Sequence, residues 1–135
     1  MGNQDDERER LNLLSNRVIG AALRVHEELG PGLLESAYEA CLSFELLDMG
    51  LRLERQMPLP LVYRGRRLDC GYRIDLLVED ELIVEVKAVE RLEKVHGAQL
   101  RSHLKLSKRK LGLPMNFNVK WLRDGIERVV NGFPE

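Results

Sequence analysis

The chain has 135 residues, enough for one domain with a real core. Its 44% hydrophobic and 32% charged content is ordinary for a soluble globular protein. No apolar run approaches membrane-spanning length, and a net charge of −1 means that bulk charge points to no nucleic-acid partner.

Residues 1–8 read as a flexible N-terminus and 9–135 as a single domain. Leu11, Leu14, Val18, Ala22, Val25 and Leu29 step by three and four, which predicts an amphipathic helix stopped by Gly30-Pro31-Gly32. A second helix is expected from about Leu33 to Met49, with Glu35 in its first turn and Tyr38 one turn on. Met57-Pro58-Leu59-Pro60 reads as a break or an edge strand, because proline cannot donate to a ladder. Arg64-Gly65-Arg66 is a hairpin turn signal between Leu61-Val62-Tyr63 and Arg67-Leu68-Asp69. Gly71 suggests a bulge or bend.

The stretch from Arg73 to Lys87 then organises the rest. Read with period two, Ile74, Leu76 and Val78 share one face, and Leu82, Val84 and Val86 continue an apolar face after the turn Glu79-Asp80-Glu81. Pairing Val78 with Leu82 and Leu76 with Val84 puts Asp75 opposite Glu85; a one-residue slip would set apolar residues against acids. Directly opposed residues have Cβ atoms roughly 4.5–5.5 Å apart, so the two carboxylates repel unless a cation lies between them. Hard oxygen ligands suit Mg²⁺ or Mn²⁺. Lys87 lies on the same face as Glu85. The plainer alternative is a solvated hairpin face, but Leu77 and Ile83 share that face and imply that it is partly covered.

Glu90 to about Leu106 reads as a third helix. Gln99, Leu100, His103 and Leu106 share its stripe, so Gln99 is expected to be a polar group aimed inward. Leu111–Phe117 is a plausible strand, although Pro114 argues that it is an edge or is interrupted there. Leu122-Arg123-Asp124-Gly125 is a turn and Ile126–Val130 a last short strand. Between Lys94 and Arg123 stand eight Lys and Arg residues and no acid, including Arg101, Lys108, Arg109 and Lys110. Such a segment in a neutral chain fits phosphate contact, with a solvated helix face as the alternative.

Cys41 and Cys70 are too few for a Cys₄ metal or iron–sulfur site; they could form one disulfide, but without an export signal in Met1–Arg8 they read rather as buried thiols. The chain accordingly reads as cytoplasmic. His26, His96 and His103 lack paired ligand spacing, which argues against a redox or histidine-metal role.

Gly32-Leu33-Leu34-Glu35-Ser36-Ala37-Tyr38 matches a GxxExxY signature, and Asp75 followed by Glu85-Val86-Lys87 matches the Asp…(Asp/Glu)-x-Lys pattern. On these motifs, their order and the Asn116-Phe117-Asn118-Val119 run, the chain resembles the GxxExxY family of the PD-(D/E)XK nucleases from about Leu11 to Gly132. The resemblance implies a restriction-endonuclease-like α/β core, a mixed sheet flanked by helices. It implies a metal-dependent nuclease, with a catalytically silent nucleic-acid-binding or assembly module as the alternative. Its site residues would be Glu35, Asp75, Glu85, Lys87 and Gln99. Asp75, Glu85, the Val86 carbonyl and, through water, Glu35 would hold Mg²⁺ or Mn²⁺. Tyr38, Arg101, His103, Lys108, Arg109 and Lys110 would contact phosphate or substrate. The implied partner is nucleic acid, DNA ahead of RNA, and the resemblance admits a homodimer. His103 departs from the aromatic residue expected at its place.

Overall fold

The computed structural model describes residues 3–134. Three helices and seven strands follow in the order α1 (Asn3–Leu29), α2 (Glu35–Asp48), β1 (Leu53–Pro58), β2 (Leu61–Tyr63), β3 (Arg66–Leu68), β4 (Arg73–Val78), β5 (Leu82–Lys87), α3 (Lys94–Ser107), β6 (Leu111–Asn116) and β7 (Val129–Val130). β1, β4, β5, β6 and β7 form one mixed sheet in that spatial order, and β2 and β3 form a separate two-stranded ribbon. Only β5 and β6 pair in parallel, joined through α3 as a parallel pair requires.

The sheet is covered on both faces. α1 and α2 bury Leu14, Val18, Ala22, Leu42 and Leu46 against Leu76, Val78, Val84 and Val86. α3 buries Leu100 and Leu104 against Leu77 and Ile83 on the other face. β5, apolar on both sides, is therefore the innermost strand. The mixed α/β class and the covering of the acid-bearing face are as the sequence predicts.

Five expectations need correction. The helix expected from Leu11 begins at Asn3, and its first turns are held by Lys110 Nζ–Glu7 Oε1 at 2.8 Å; of the N-terminus read as flexible, only Met1 and Gly2 lie outside the described residues. α3 begins at Lys94 rather than Glu90, because Glu93 and His96 form a capping box there. Pro114 sits in an interior strand. Its carbonyl accepts the Glu127 amide at 3.1 Å, so its nitrogen, on the same side, faces away from β5 and no ladder bond to β5 is lost. Ile74 packs under α3 with Leu77 and Ile83, not with Leu76 and Val78. On the neighbouring β1, Gln56 at φ +52° stands between the pairs Arg55–Leu76 and Met57–Ile74, and this left-handed residue turns the strand pair. Cys41 and Cys70 are free and exposed, not buried.

Candidate active site

β4 and β5 pair in the expected register, from Val78–Leu82 to Leu76–Val84. One step further the carboxylates take over from the backbone ladder. The Asp75 amide donates to Glu85 Oε2 at 3.0 Å, and the Val86 amide donates to Asp75 Oδ2 at 2.8 Å. Glu85 is buried at 7% exposure and Asp75 is half-buried. Burial first, and the Glu85 charge second, push the Asp75 carboxyl up to about 6, against the opposing pull of the Val86 amide and of Gln56. Two acids in this relation leave an electrostatic deficit that a cation or a proton fills.

α2 brings two more acids, one turn apart. Glu35, at the first helical position, is exposed, and its Oε2 accepts the Ala88 amide at 3.1 Å, just past Lys87. Glu39 is buried and accepts from Arg55 Nε at 3.2 Å and Nη2 at 3.1 Å. Gln56 Nε2 spends both hydrogens here, donating to Glu39 Oε1 at 2.7 Å and to Asp75 Oδ1 at 3.2 Å. Glu39 and Gln56 were not among the residues expected from sequence. Glu39 is four residues after Glu35, so helical spacing alone places it on the same face. For Gln56 the deciding feature is its left-handed backbone, which a glutamine does not announce.

Lys87 ends β5 half-buried, and among the described residues its ammonium makes no ion pair. Its main chain is fixed: Phe117 N donates to the Lys87 carbonyl at 2.9 Å. Asn116, 1% exposed and in register with Lys87, clamps the next turn by accepting from Val89 N at 3.0 Å and donating to Val89 O at 2.9 Å.

α3 contributes His103 rather than Gln99. His103 Nδ1 lies 3.7 Å from Glu85 Oε1 and is buried, without a hydrogen-bond partner among the described residues. Gln99, one turn earlier, is exposed instead of turned into the core. It shares a hollow of about 450 Å³ with Tyr72, His103 and Lys105.

Tyr38 is placed for another purpose. It is fully buried, stacked on Phe117 at 4.6 Å between centroids, and its hydroxyl donates to Gly30 O at 2.5 Å while accepting from Leu33 N at 3.1 Å. It closes the loop that aims α2, and its one hydroxyl hydrogen, which a phosphate would need, is spent on Gly30 O. Lys108, Arg109 and Lys110 are also not at the acid pair. They precede Leu111, which pairs with Leu82, whereas the acids stand at the far end of β5. Arg109 Nη2 is 2.6 Å from Asp80 Oδ1, and Lys110 is bound to Glu7. Arg101 is exposed on α3.

Among the described residues no group of three or more His, Cys, Asp or Glu stands close enough to hold a metal. The two-carboxylate set nevertheless suits Mg²⁺, which takes one or two carboxylates and keeps several waters. The Val86 amide points to Asp75, so the Val86 carbonyl, on the same side of the strand, faces it too.

No curated protein and no solved structure matches the chain. The family model described as the PD-(D/E)XK nuclease superfamily matches residues 12–129, a span that includes Glu35, Asp75, Glu85 and Lys87. With that match over most of its length, the chain belongs to the PD-(D/E)XK nuclease superfamily.

Proposed function

We propose that this chain is a metal-dependent nuclease that hydrolyses phosphodiester bonds of DNA. The observation that carries the reading is the Asp75–Glu85 pair, two partly desolvated carboxylates bonded crosswise to each other's strands, with Lys87 two residues beyond Glu85. Asp75, Glu85 and the Val86 carbonyl would hold Mg²⁺ or Mn²⁺. When bound, the ion supplies Lewis-acid polarisation of a phosphoryl oxygen and lowers the pKa of a bound water. The Lys87 ammonium, which among the described residues makes no ion pair, offsets charge developing on the phosphate and orients the attacking water. Glu35 sits beside it on the Ala88 amide and accepts a hydrogen bond from that water. Gln56 and Glu39 hold Asp75 in place, and His103 occupies the other flank of Glu85.

Superfamily membership supports nuclease chemistry, and both strand acids and the lysine of the pattern are present, which leaves a catalytically silent module without support. The test is a panel of labelled single- and double-stranded DNA and RNA incubated with and without Mg²⁺ or Mn²⁺. Metal-dependent cleavage of a DNA substrate supports the reading. Binding of metal with no cleavage of any substrate contradicts it.

A further inference from the structure

Between β1 and β4 the chain leaves the main sheet and makes the β2–β3 ribbon, which pairs only with itself. Its two-residue loop, Arg64-Gly65, has φ of +52° and +79°, the left-handed pair that a tight hairpin requires. Arg64, Arg66 and Arg67 are exposed, and among the described residues none makes an ion pair or a side-chain hydrogen bond. The neighbouring acid, Asp69, is turned back into the ribbon's own root, where it accepts the Gly71 amide at 3.0 Å. Three unpaired guanidinium groups thus project from one short element. By contrast, Arg109 and Lys110 of the 94–123 segment are already neutralised by Asp80 and Glu7.

The position of the ribbon matters as much as its charge. The last pairs of β1 with β4 are Met57–Ile74 and Pro58–Arg73, and the Leu59 amide then donates to Tyr72 O at 2.9 Å. The ribbon therefore emerges at the end of the sheet where Asp75 stands. At its root, Leu61 and Tyr72 form a hollow with Gln99, His103 and Lys105 of α3. His103 lines that hollow and is also the neighbour of Glu85.

We propose that the β2–β3 ribbon docks in the major groove of duplex DNA, with Arg64, Arg66 and Arg67 bound to phosphates and base edges, and so feeds the duplex to the Asp75–Glu85 site. The inference rests on the nuclease reading for its choice of polyanion. The dimensions agree: three residues per strand at about 3.3 Å each give roughly 10 Å, against a groove roughly 8.5 Å deep that admits a two-stranded ribbon. The major groove of duplex RNA is too narrow for such an element. Arginine suits both targets, since its planar fork pairs with phosphate or with a guanine edge.

The experiment measures binding apart from cleavage. In a Lys87→Ala background with Mg²⁺ present, affinity for a labelled DNA duplex is followed by fluorescence anisotropy from low to high salt. Replacing Arg64, Arg66 and Arg67 together by Ala should flatten the slope of log affinity against log salt by about 2–3, since each phosphate neutralised contributes roughly 0.9 to it. Replacing the same three by Lys should restore most of the slope, which shows that the Ala protein is short of charge and not of fold. Replacing Lys108, Arg109 and Lys110 should change it less. The ribbon inference is overturned by an unchanged slope in the ribbon variant, by an equal change on duplex RNA, or by no binding to the duplex at all. Binding through the ribbon by a parent protein that cleaves nothing supports the ribbon and refutes the nuclease reading. Cleavage of duplex DNA with an unchanged slope does the reverse.

Discussion

The Asp75 amide donates to the Glu85 carboxylate at 3.0 Å, and the Val86 amide returns a bond to Asp75 at 2.8 Å. The two acids occupy positions that ladder bonds would otherwise fill. Each is held by a neutral backbone donor, which leaves the negative charge of the pair largely uncompensated.

This arrangement predicts an inverted pH dependence. The Asp75 carboxyl is raised from 3.8 to about 6 by burial and then by Glu85. Between about pH 4 and 6 the folded protein keeps a proton that the unfolded chain has released, so stability from this group falls as pH rises through that window. Asp75→Asn should match the parent near pH 4 without metal. At pH 8 it should be more stable by on the order of 1 kcal/mol, after allowing for the part of the carboxyl that meets solvent. Urea midpoints for both proteins at the two pH values check this. Adding Mg²⁺ at pH 8 should stabilise the parent and leave the variant unmoved.

The two acids of α2 should separate by phenotype. Glu39 is buried and receives three hydrogen bonds from Arg55 and Gln56. Glu39→Ala should cost about 1.5–3 kcal/mol by leaving those donors unmatched. Glu35 is exposed and, among the described residues, receives only the Ala88 amide, so Glu35→Ala should stay within about 0.5 kcal/mol of the parent while lowering cleavage. A melting curve and a cleavage assay on each variant decide the matter.

Asn116 predicts a third effect. Its side chain holds Val89 through both main-chain atoms and also accepts the Asn118 amide at 3.2 Å. Asn116→Ala should destabilise by about 1–3 kcal/mol, since partly buried main-chain groups of Val89 lose their partner at once. It should also reduce activity, because the turn that follows Lys87 is no longer fixed. A loss of stability with full activity would show that Lys87 is positioned by other contacts.

The 3₁₀ turn at Leu122–Gly125 packs against the same strand end. A Cβ on Gly125 would lie 2.3 Å from the Asn116 carbonyl oxygen, a backbone atom with little room to yield. A Cβ on Gly112 would meet the Leu100 side chain at 2.9 Å. Gly125→Ala should therefore cost more than Gly112→Ala, about 1–3 kcal/mol against a smaller penalty. Denaturant titrations of the two variants test the order.

What could be read from the sequence follows from how local each determinant is. The β4–β5 register is written in the alternation of Leu76, Val78, Leu82 and Val84, and a slip would bury acids. The same alternation misplaces Ile74, because the turn of the strand there comes from Gln56 on a different strand. Pro114 reads as an edge because its tolerance depends on which side of β6 its nitrogen faces. Glu39 was legible from its spacing to Glu35, whereas its link to Asp75 through Gln56 was not. Tyr38 was identifiable as part of a motif with Glu35, but only the fold shows its hydroxyl spent on the Gly30–Leu33 loop. The basic residues at 108–110 carried the right charge for binding phosphate, but Arg109 and Lys110 take acid partners, Asp80 and Glu7, that are remote in sequence.

If Lys87 acts in the chemistry that Asp75 and Glu85 organise, metal-dependent cleavage by the parent and Lys87→Ala side by side, with metal affinity titrated on both, shows it most directly. Lys87 is half-buried, and among the described residues its ammonium makes no ion pair, so its truncation should leave the fold and metal binding intact. Lys87→Ala should lose at least about a hundredfold in cleavage with metal affinity unchanged, an interaction removed from the transition state rather than from site assembly. Cleavage by Lys87→Ala at the parent's rate would contradict it.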